Sequence, residues 1–229
     1  NGAAQAHWPH WRGPDGTGVA AGRAPRAWSD EQNVKWKVAL PGYGHSTPVI
    51  WGDRMFLTTA VALEEAVEEE PPPEPEGGEG RRGRRGFGPR VVHGEQSFDV
   101  LCIDRTTGET VWTRTATKAK PHEGYHRTYG SFASASPFTD GKHVWVSFGS
   151  QGLYCYDLDG KLVWKKDLGV KMIMRNSFGE GLAPIVHDGV LVQVCDHEED
   201  SFVVALDALT GEQLWRADRD EPTSWATPL

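Results

Sequence analysis

Apolar residues in this chain come in short runs that alternate with polar ones at a period of two, and Gly, Asp or Pro separates one run from the next. That pattern predicts β-strands joined by tight turns. The stretch from Ser134 to Trp164, SASPFTDGKHVWVSFGSQGLYCYDLDGKLVW, shows it most plainly. Ser136-Pro137 opens a first strand, and Thr139-Asp140-Gly141 turns it into HVWVSF, which alternates around Val144 and Val146. Gly149-Ser150-Gln151-Gly152 ends that strand, LYCYD forms a third, and Asp159-Gly160 reverses the chain into LVWK, which carries Trp164. Asp-Gly between β-type runs is a strong hairpin signal, because glycine accepts positive φ without steric penalty.

The unit recurs. Aligned on a tryptophan, the last hairpins are VLCIDRTTGETVW ending at Trp112, LYCYDLDGKLVW ending at Trp164 and VVALDALTGEQLW ending at Trp215. Each has Gly four residues before the Trp (Gly108, Gly160, Gly211) and Asp before the turn (Asp104, Asp157, Asp207). A small residue, Cys102, Cys155 or Ala205, stands two positions before that Asp. Upstream, the first-strand signal repeats as Thr47-Pro48, Ser136-Pro137, Ala183-Pro184 and Thr227-Pro228, and the first turn as Gly52-Asp53, Asp140-Gly141 and Asp188-Gly189. Trp36 in VKWKVAL is a fourth copy of the tryptophan. A spacing of roughly fifty residues is the range of stacked blades or solenoid coils. The Asp side chain can accept hydrogen bonds from amides of its own turn, and Gly takes the left-handed position. Trp on an outermost strand offers a large apolar face with one donor, suited to docking between neighbouring four-stranded sheets.

The pattern A-x-D-x-x-T-G-x-x-x-W, with S/T/A-P and D-G upstream, resembles the blade repeat of the pyrroloquinoline-quinone-like (PQQ-like) β-propellers. CIDRTTGETVW and ALDALTGEQLW match it closely, and CYDLDGKLVW matches with one residue fewer in its turn. The opening WPHWRGPDGTG, Trp8 to Gly18, resembles the lead-in of secreted bacterial proteins of that family. The resemblance covers nearly the whole chain except Val61 to Phe98 and implies an all-β fold, a partial β-propeller of four-stranded antiparallel blades. A closed ring of seven or eight blades needs roughly 350 residues or more. With 229 residues, about three blades are expected here, as the N-terminal part of a longer protein whose remaining blades complete the ring. Residues 1–32 are then an irregular lead-in pinned by Trp8, Trp11 and Trp28, and 33–229 the incomplete propeller. A stray outer strand is expected at Asn33 to Leu40, as the closing strand of the final blade, and a first-strand start at Ser224 to Leu229.

Composition narrows the function classes. A net charge of −8 argues against general affinity for nucleic acid, and no run approaches the length of a membrane span. Ala4-Gln5-Ala6 before His7 resembles the A-x-A end of a removed signal peptide, so residues 1–6 are read as its tail and the protein as exported, periplasmic or extracellular. Cys102 and Cys155 occupy equivalent positions in different repeats and are expected as small buried hydrophobes, not as disulfide partners.

Residues 61–98 break the strand period. The first half is acidic and Pro-rich, the second basic and Gly-rich, a composition that predicts disorder. Within it, ALEEAVEEE could hold a turn or two of helix. The longer loops all fall between second and third strands or between blades: Val61 to Phe98, Asp196 to Ser201, Leu40 to Ser46, Thr115 to Ala135 and Asp167 to Leu182. In an up-and-down blade those two loop types emerge on one face, and binding is more often carried by such loops than by the scaffold. The candidate binding face is therefore His45, His126, Arg127, Tyr129, Arg175, Asn176, Asp196, His197 and Trp225, with His122, Tyr125, Met172 and Met174 in the same loops.

Recognisable chemistry is sparse. DHEED, Asp196 to Asp200, could attract a hard cation, but it lacks the periodic ligands of a calcium loop and is read as a solvated acidic turn. HEGYH lacks the pattern and helical context of the HExxH zinc helix. No catalytic residue and no metal ligand is assigned. The resemblance also implies one enzyme class, the quinoprotein dehydrogenases, which hold PQQ with Ca²⁺ through an adjacent Cys-Cys pair, a stacking Trp and calcium ligands including Glu and Asn. This chain has no adjacent cysteines. No cofactor is expected, with PQQ and Ca²⁺ as the alternative. The expected function is a non-catalytic exported propeller that binds an envelope protein or small ligand through loops on one face. It is similar to the propeller subunit of the outer-membrane β-barrel assembly machinery. A quinoprotein dehydrogenase and the sensor domain of a larger protein are the alternatives.

Overall fold

The structure, a computed structural model, describes residues 7–22, 24–63, 67–68, 89–90 and 92–228. The chain enters through β1 (His7–Trp8), then forms β2 (Val49–Trp51) and β3 (Arg54–Ala62). Three two-residue strands follow, β4 (Val67–Glu68), β5 (Pro89–Arg90) and β6 (Val92–His93), and the first sheet is completed by β7 (Gln96–Asp104) and β8 (Thr110–Ala119). After β9 (Tyr125–His126) the second sheet is β10 (Phe138–Thr139), β11 (His143–Ser147), β12 (Leu153–Asp157) and β13 (Leu162–Lys166). The third is β14 (Ile185–His187), β15 (Val190–Cys195), β16 (Phe202–Asp207) and β17 (Gln213–Asp218). Each sheet is an antiparallel meander in chain order, as the repeat predicts; the first has the order β1-β2-β3-β7-β8. These are blades of a partial all-β propeller.

One interlock, repeated, joins sheet to sheet. The Trp112 ring lies over the β12–β13 turn of the second sheet, its Nε1–H donating to Leu158 O at 3.0 Å. Trp164 donates likewise to Ala208 O of the third sheet at 2.9 Å, and Trp36 to Arg105 O of the first at 2.9 Å. The accepting carbonyl always belongs to the residue after the turn Asp. That Asp fastens the turn: Asp104 Oδ1 accepts from Thr106 N and Thr107 N at 2.7 and 2.8 Å, and Asp157 and Asp207 do the same in their turns. The turn glycine is required twice. Gly108, Gly160 and Gly211 have φ of 80°, 81° and 72°, and a Cβ on each would stand 2.7–2.8 Å from the docked indole. Cys102, Cys155 and Ala205, all fully buried, sit directly across the ladder from Trp112, Trp164 and Trp215. Beside each pair the register slips by one, leaving Val111, Val163 or Leu214 as the extra residue of a bulge. Bulges bend a strand and re-aim its side chains.

Two cores lie between consecutive sheets, and a smaller third cluster, Leu57, Leu101 and Ile103, packs under Trp36. Phe56, Phe98, Val100 and Trp112 of the first sheet pack against Val144, Val146, Tyr154 and Tyr156 of the second. Trp145, Leu153, Cys155 and Trp164 of the second pack against Leu191, Phe202, Val204 and Leu206 of the third. Trp215 is the exception among the docking residues: its ring is 48% exposed, and no further sheet covers it among the described residues.

Several expectations are corrected. Residues 34–40 form no strand, because the inner strands they would pair with are absent among the described residues; Trp36 docks all the same. Residues 224–228 likewise form no strand among the described residues. The lead-in is less irregular than expected: His7–Trp8 adds a strand to the sheet edge at Val49–Trp51, and Pro9 O accepts from Thr139 N of the second sheet at 2.9 Å. Trp8 is half-buried against Gly13, whereas Trp28 is 73% exposed and pins nothing. The strands invade the interruption from both sides, pairing continuously from Arg54↔Asp104 to Ala62↔Gln96, because a partner already in register supplies every ladder bond. Val67–Glu68 pairs with Val92–His93, where a helical turn was conceivable. Most of the expected disorder falls on residues outside those described, as does the tail at 1–6. Finally, β8 runs to Ala119, shortening the connector that follows it.

Candidate functional site

The residue before a proline is held extended, and extended chain points alternate side chains the same way. Thr47, Ser136, Ala183 and Thr227 precede prolines, so the residues two positions earlier, His45, Ser134, Gly181 and Trp225, share their direction. All eight line one open cavity of about 410 Å³, walled on another side by Trp11 and Arg12 of the lead-in. Successive segments are tied side to side: Thr47 N donates to Ser136 Oγ at 2.9 Å, and Ala183 N to Thr227 Oγ1 at 3.4 Å. The Trp225 Nε1–H donates to Gly179 O at 2.8 Å, which holds the indole on the rim, 44% exposed. The result is a funnel of hydroxyls, an imidazole and two indoles with Arg12 as the one charged lining residue. It suits a ligand that offers both planar apolar surface and hydrogen-bonding groups.

Around it the inter-sheet connectors are laced together. His126 N donates to Phe178 O and Glu198 N to Ile173 O, while Arg175 N reaches Thr223 Oγ1 at 2.9 Å. These contacts join the connectors ahead of the second and third sheets to each other and to the loop at Glu198. The individual candidates divide. His45 and Trp225 are in the funnel. Arg127 and Tyr129 are exposed, Tyr129 at 77%. Arg175 is exposed and pairs with Glu198 Oε1 at 3.4 Å, and Asn176 is exposed with a left-handed φ of 57°. His126 is corrected from binding face to scaffold. Its ring is buried, stacked on Tyr129 and edge-on to Phe178, and its Nδ1 accepts from Thr128 N and Tyr129 N. Asp196 is also corrected: buried, it takes Arg219 Nε at 2.7 Å and Nη2 at 3.3 Å, a two-point grip that uses the carboxylate up. His197 is only 2% exposed, held at its backbone by Ser201 Oγ. The alternation that puts acidic residues in a solvated turn begins at Glu198, two residues later than the sequence suggests.

Sequence reasoning missed a second feature. Glu180, between two glycines in the connector ahead of the third sheet, turns inward beside His122 and Glu123 of the connector ahead of the second. Its carboxylate accepts from Ser150 N and Ser150 Oγ, both at 2.5 Å, in a space that a Cβ on Gly149 would fill. Glu123 Oε2 accepts from Met174 N at 3.1 Å. Burial pushes both carboxyls up to about 7, against the opposing pull of those hydrogen bonds. The only sequence signal was a lone acidic residue in an otherwise Gly-rich connector.

The three cysteines are free, buried and in separate sheets, Cys102 in β7, Cys155 in β12 and Cys195 in β15. Burial raises the Cys155 and Cys195 thiols to about 12. No two of the three cysteines stand close enough in the chain to form an adjacent pair.

Among solved structures the chain is similar to a europium-containing methanol dehydrogenase (14% identity, 80% of this chain and 26% of that one, TM-score 0.44). It is also similar to BamB from Moraxella catarrhalis (20% identity, 60% and 37%, TM-score 0.36). A third is the quinohemoprotein alcohol dehydrogenase from Comamonas testosteroni (22% identity, 72% and 23%, TM-score 0.38). The chain thus spans between about a quarter and just over a third of the length of these structures. No curated protein matches it. Residues 96–227, more than half of the chain, match the family described as outer membrane protein assembly factor BamB. With the tryptophan interlock and four-stranded meanders already in place, that match identifies the chain as a member of the BamB family of PQQ-like repeat propellers.

Proposed function

We propose that this chain belongs to a non-catalytic, exported propeller that works in the cell envelope by binding a partner protein across its loop face. One observation carries the reading. The funnel of four equivalent pre-proline segments is lined by the exposed Trp225 and Trp11 together with Arg12, and Arg127 and Tyr129 are exposed on the connector that leads to one of those segments. Exposed tryptophan, tyrosine and arginine around a concave centre are the side chains that dominate protein interfaces. The family supports this reading in general terms. Among the described residues no helix is long and apolar enough to cross a membrane.

The test is chemical cross-linking of the full-length protein in an envelope fraction, followed by affinity measurement with the purified partner. Trp225→Ala and Arg127→Ala should each weaken binding at least about tenfold, as for interface residues of the energetic centre. Red-shifted absorbance on adding the quinone and Ca²⁺, together with dye-linked alcohol oxidation, would refute the reading in favour of a dehydrogenase.

A further inference from the structure

The geometry points to a divalent-cation site, of the zinc and manganese class, formed by His122, Glu123 and Glu180 where two connectors cross. One ligand atom from each lies within 4.8 Å of the others. The three line a cavity of about 30 Å³, walled otherwise by Phe98, Phe132 and Phe148 together with Ser131, Gln151 and neighbouring backbone. That volume suits a single ion or water and little else.

The electrostatics ask for a cation. His122 and Glu180 side chains are only 17% and 16% exposed. Glu123 Oε1 is sealed from solvent with no hydrogen-bond partner among the described residues. No lysine or arginine pairs with either carboxylate among them. Buried carboxylates are otherwise costly; they are found paired or bound to metals. Ser150 orients Glu180 by donating to both of its oxygens, while Met174 N fixes only Oε2 of Glu123 and leaves Glu123 Oε1 open.

His122 supplies the choice of metal. Its Nε2 stands 2.8 Å from Met172 O and 3.9 Å from Glu180 Oε1; the carbonyl can only accept, so Nε2–H donates to it and Nδ1 is the nitrogen left to face an ion. An imidazole anchored by a backbone carbonyl is the outer-shell arrangement that metal-binding histidines adopt. One imidazole with two carboxylates favours a borderline cation over calcium, whose ligands are oxygens. Three protein ligands beside a cavity leave room for water in the remaining positions. Because His122 and Glu123 precede the second sheet and Glu180 precedes the third, the ion would clip the two connectors behind the loop face.

The experiment is titration calorimetry with Zn²⁺, and separately Ca²⁺, on full-length protein stripped by chelator, with thermal unfolding as a second readout. One Zn²⁺ per chain should bind, raise the unfolding temperature and be displaced by Mn²⁺ more readily than by Ca²⁺. Glu123→Gln and Glu180→Gln should each weaken Zn²⁺ at least about tenfold, the scale on which disturbing a metal site acts. Glu199→Gln, in the exposed acidic turn, should leave it unchanged. Glu123→Gln removes only the charge beside one backbone contact, so it keeps the test meaningful if Glu180→Gln misfolds. Absence of Zn²⁺ binding to the unsubstituted protein, equal affinity in both glutamine variants, or preference for Ca²⁺ would each overturn the assignment.

Discussion

Replacing Gly160 with alanine makes two demands on the β12–β13 turn. The residue sits at φ 81°, where an L side chain costs about 1–2 kcal/mol. The new Cβ would also stand 2.8 Å from Cδ2 of Trp112, well inside contact distance, on a ring held by its bond to Leu158 O. Displacing a packed ring costs about 1–3 kcal/mol more, so Gly160→Ala should lose about 2–5 kcal/mol. Trp112→Ala alone should lose about 3–5 kcal/mol. In the Trp112→Ala background the demand of the indole vanishes, and the backbone one remains with a 3.1 Å approach to the flexible Arg114 side chain, which can move aside. The double-mutant cycle should therefore return a coupling of about 1–3 kcal/mol. Effects of alanine on the unfolded chain are the same in both backgrounds and cancel. Urea unfolding followed by far-UV circular dichroism measures all four corners, provided the denaturant slope is unchanged between them. If Gly160→Ala costs the same with and without the indole, the interlock does not hold the sheets together and the reasoning fails.

Two further outcomes follow from the same ladders. Backbone amides, Thr107 N chiefly for Asp104 and Thr210 N chiefly for Asp207, hold both carboxyls below the usual carboxylate range. A lowered folded-state pKa means that the unfolded chain binds more protons in acid. The stability these groups lend is therefore present at neutral pH and lost as pH falls through that range. The combined Asp104→Asn and Asp207→Asn variant should show a shallower acid limb in a pH series of unfolding midpoints. Replacing residues 69–88 with a short Gly-Ser linker should leave circular dichroism unchanged and the midpoint nearly so, because β3 and β7 pair without a break up to Ala62↔Gln96 and loop entropy varies by only about 0.6 kcal/mol per doubling of length. Loss of cooperative unfolding in that variant would show that the interruption carries part of the fold.

The residues that make the interlock were legible because each serves a local rule that sequence states directly: Asp for a turn, Gly for positive φ, a small residue for close approach, Trp for the neighbour. The bulge at Val111, Val163 and Leu214 was not legible. The hydrophobic run continues straight through it, and only the ladder reveals which residue is left unpaired. VKWKVAL has every mark of a strand yet forms none, since strand character in sequence says nothing about whether a partner stands alongside. His45 and Trp225 were placed among binding residues on loop position alone. What unites them, the shared direction two residues before a prolyl bond, needed four segments converging in space. Asp196 looked like one of four acidic surface groups because its partner, Arg219, is 23 residues further on. Glu180 offered no pattern at all, because its role depends on a gap left by Gly149 in another sheet.

The plug-and-socket order of the tryptophans has a polarity: each sheet presents an indole to one side and a glycine turn to the other. Head-to-tail surfaces of that kind are prone to run on from molecule to molecule into fibres. Here the leading socket, over Gly108, is already stoppered from within by Trp36. A second indole, from this chain or another, therefore finds that socket filled.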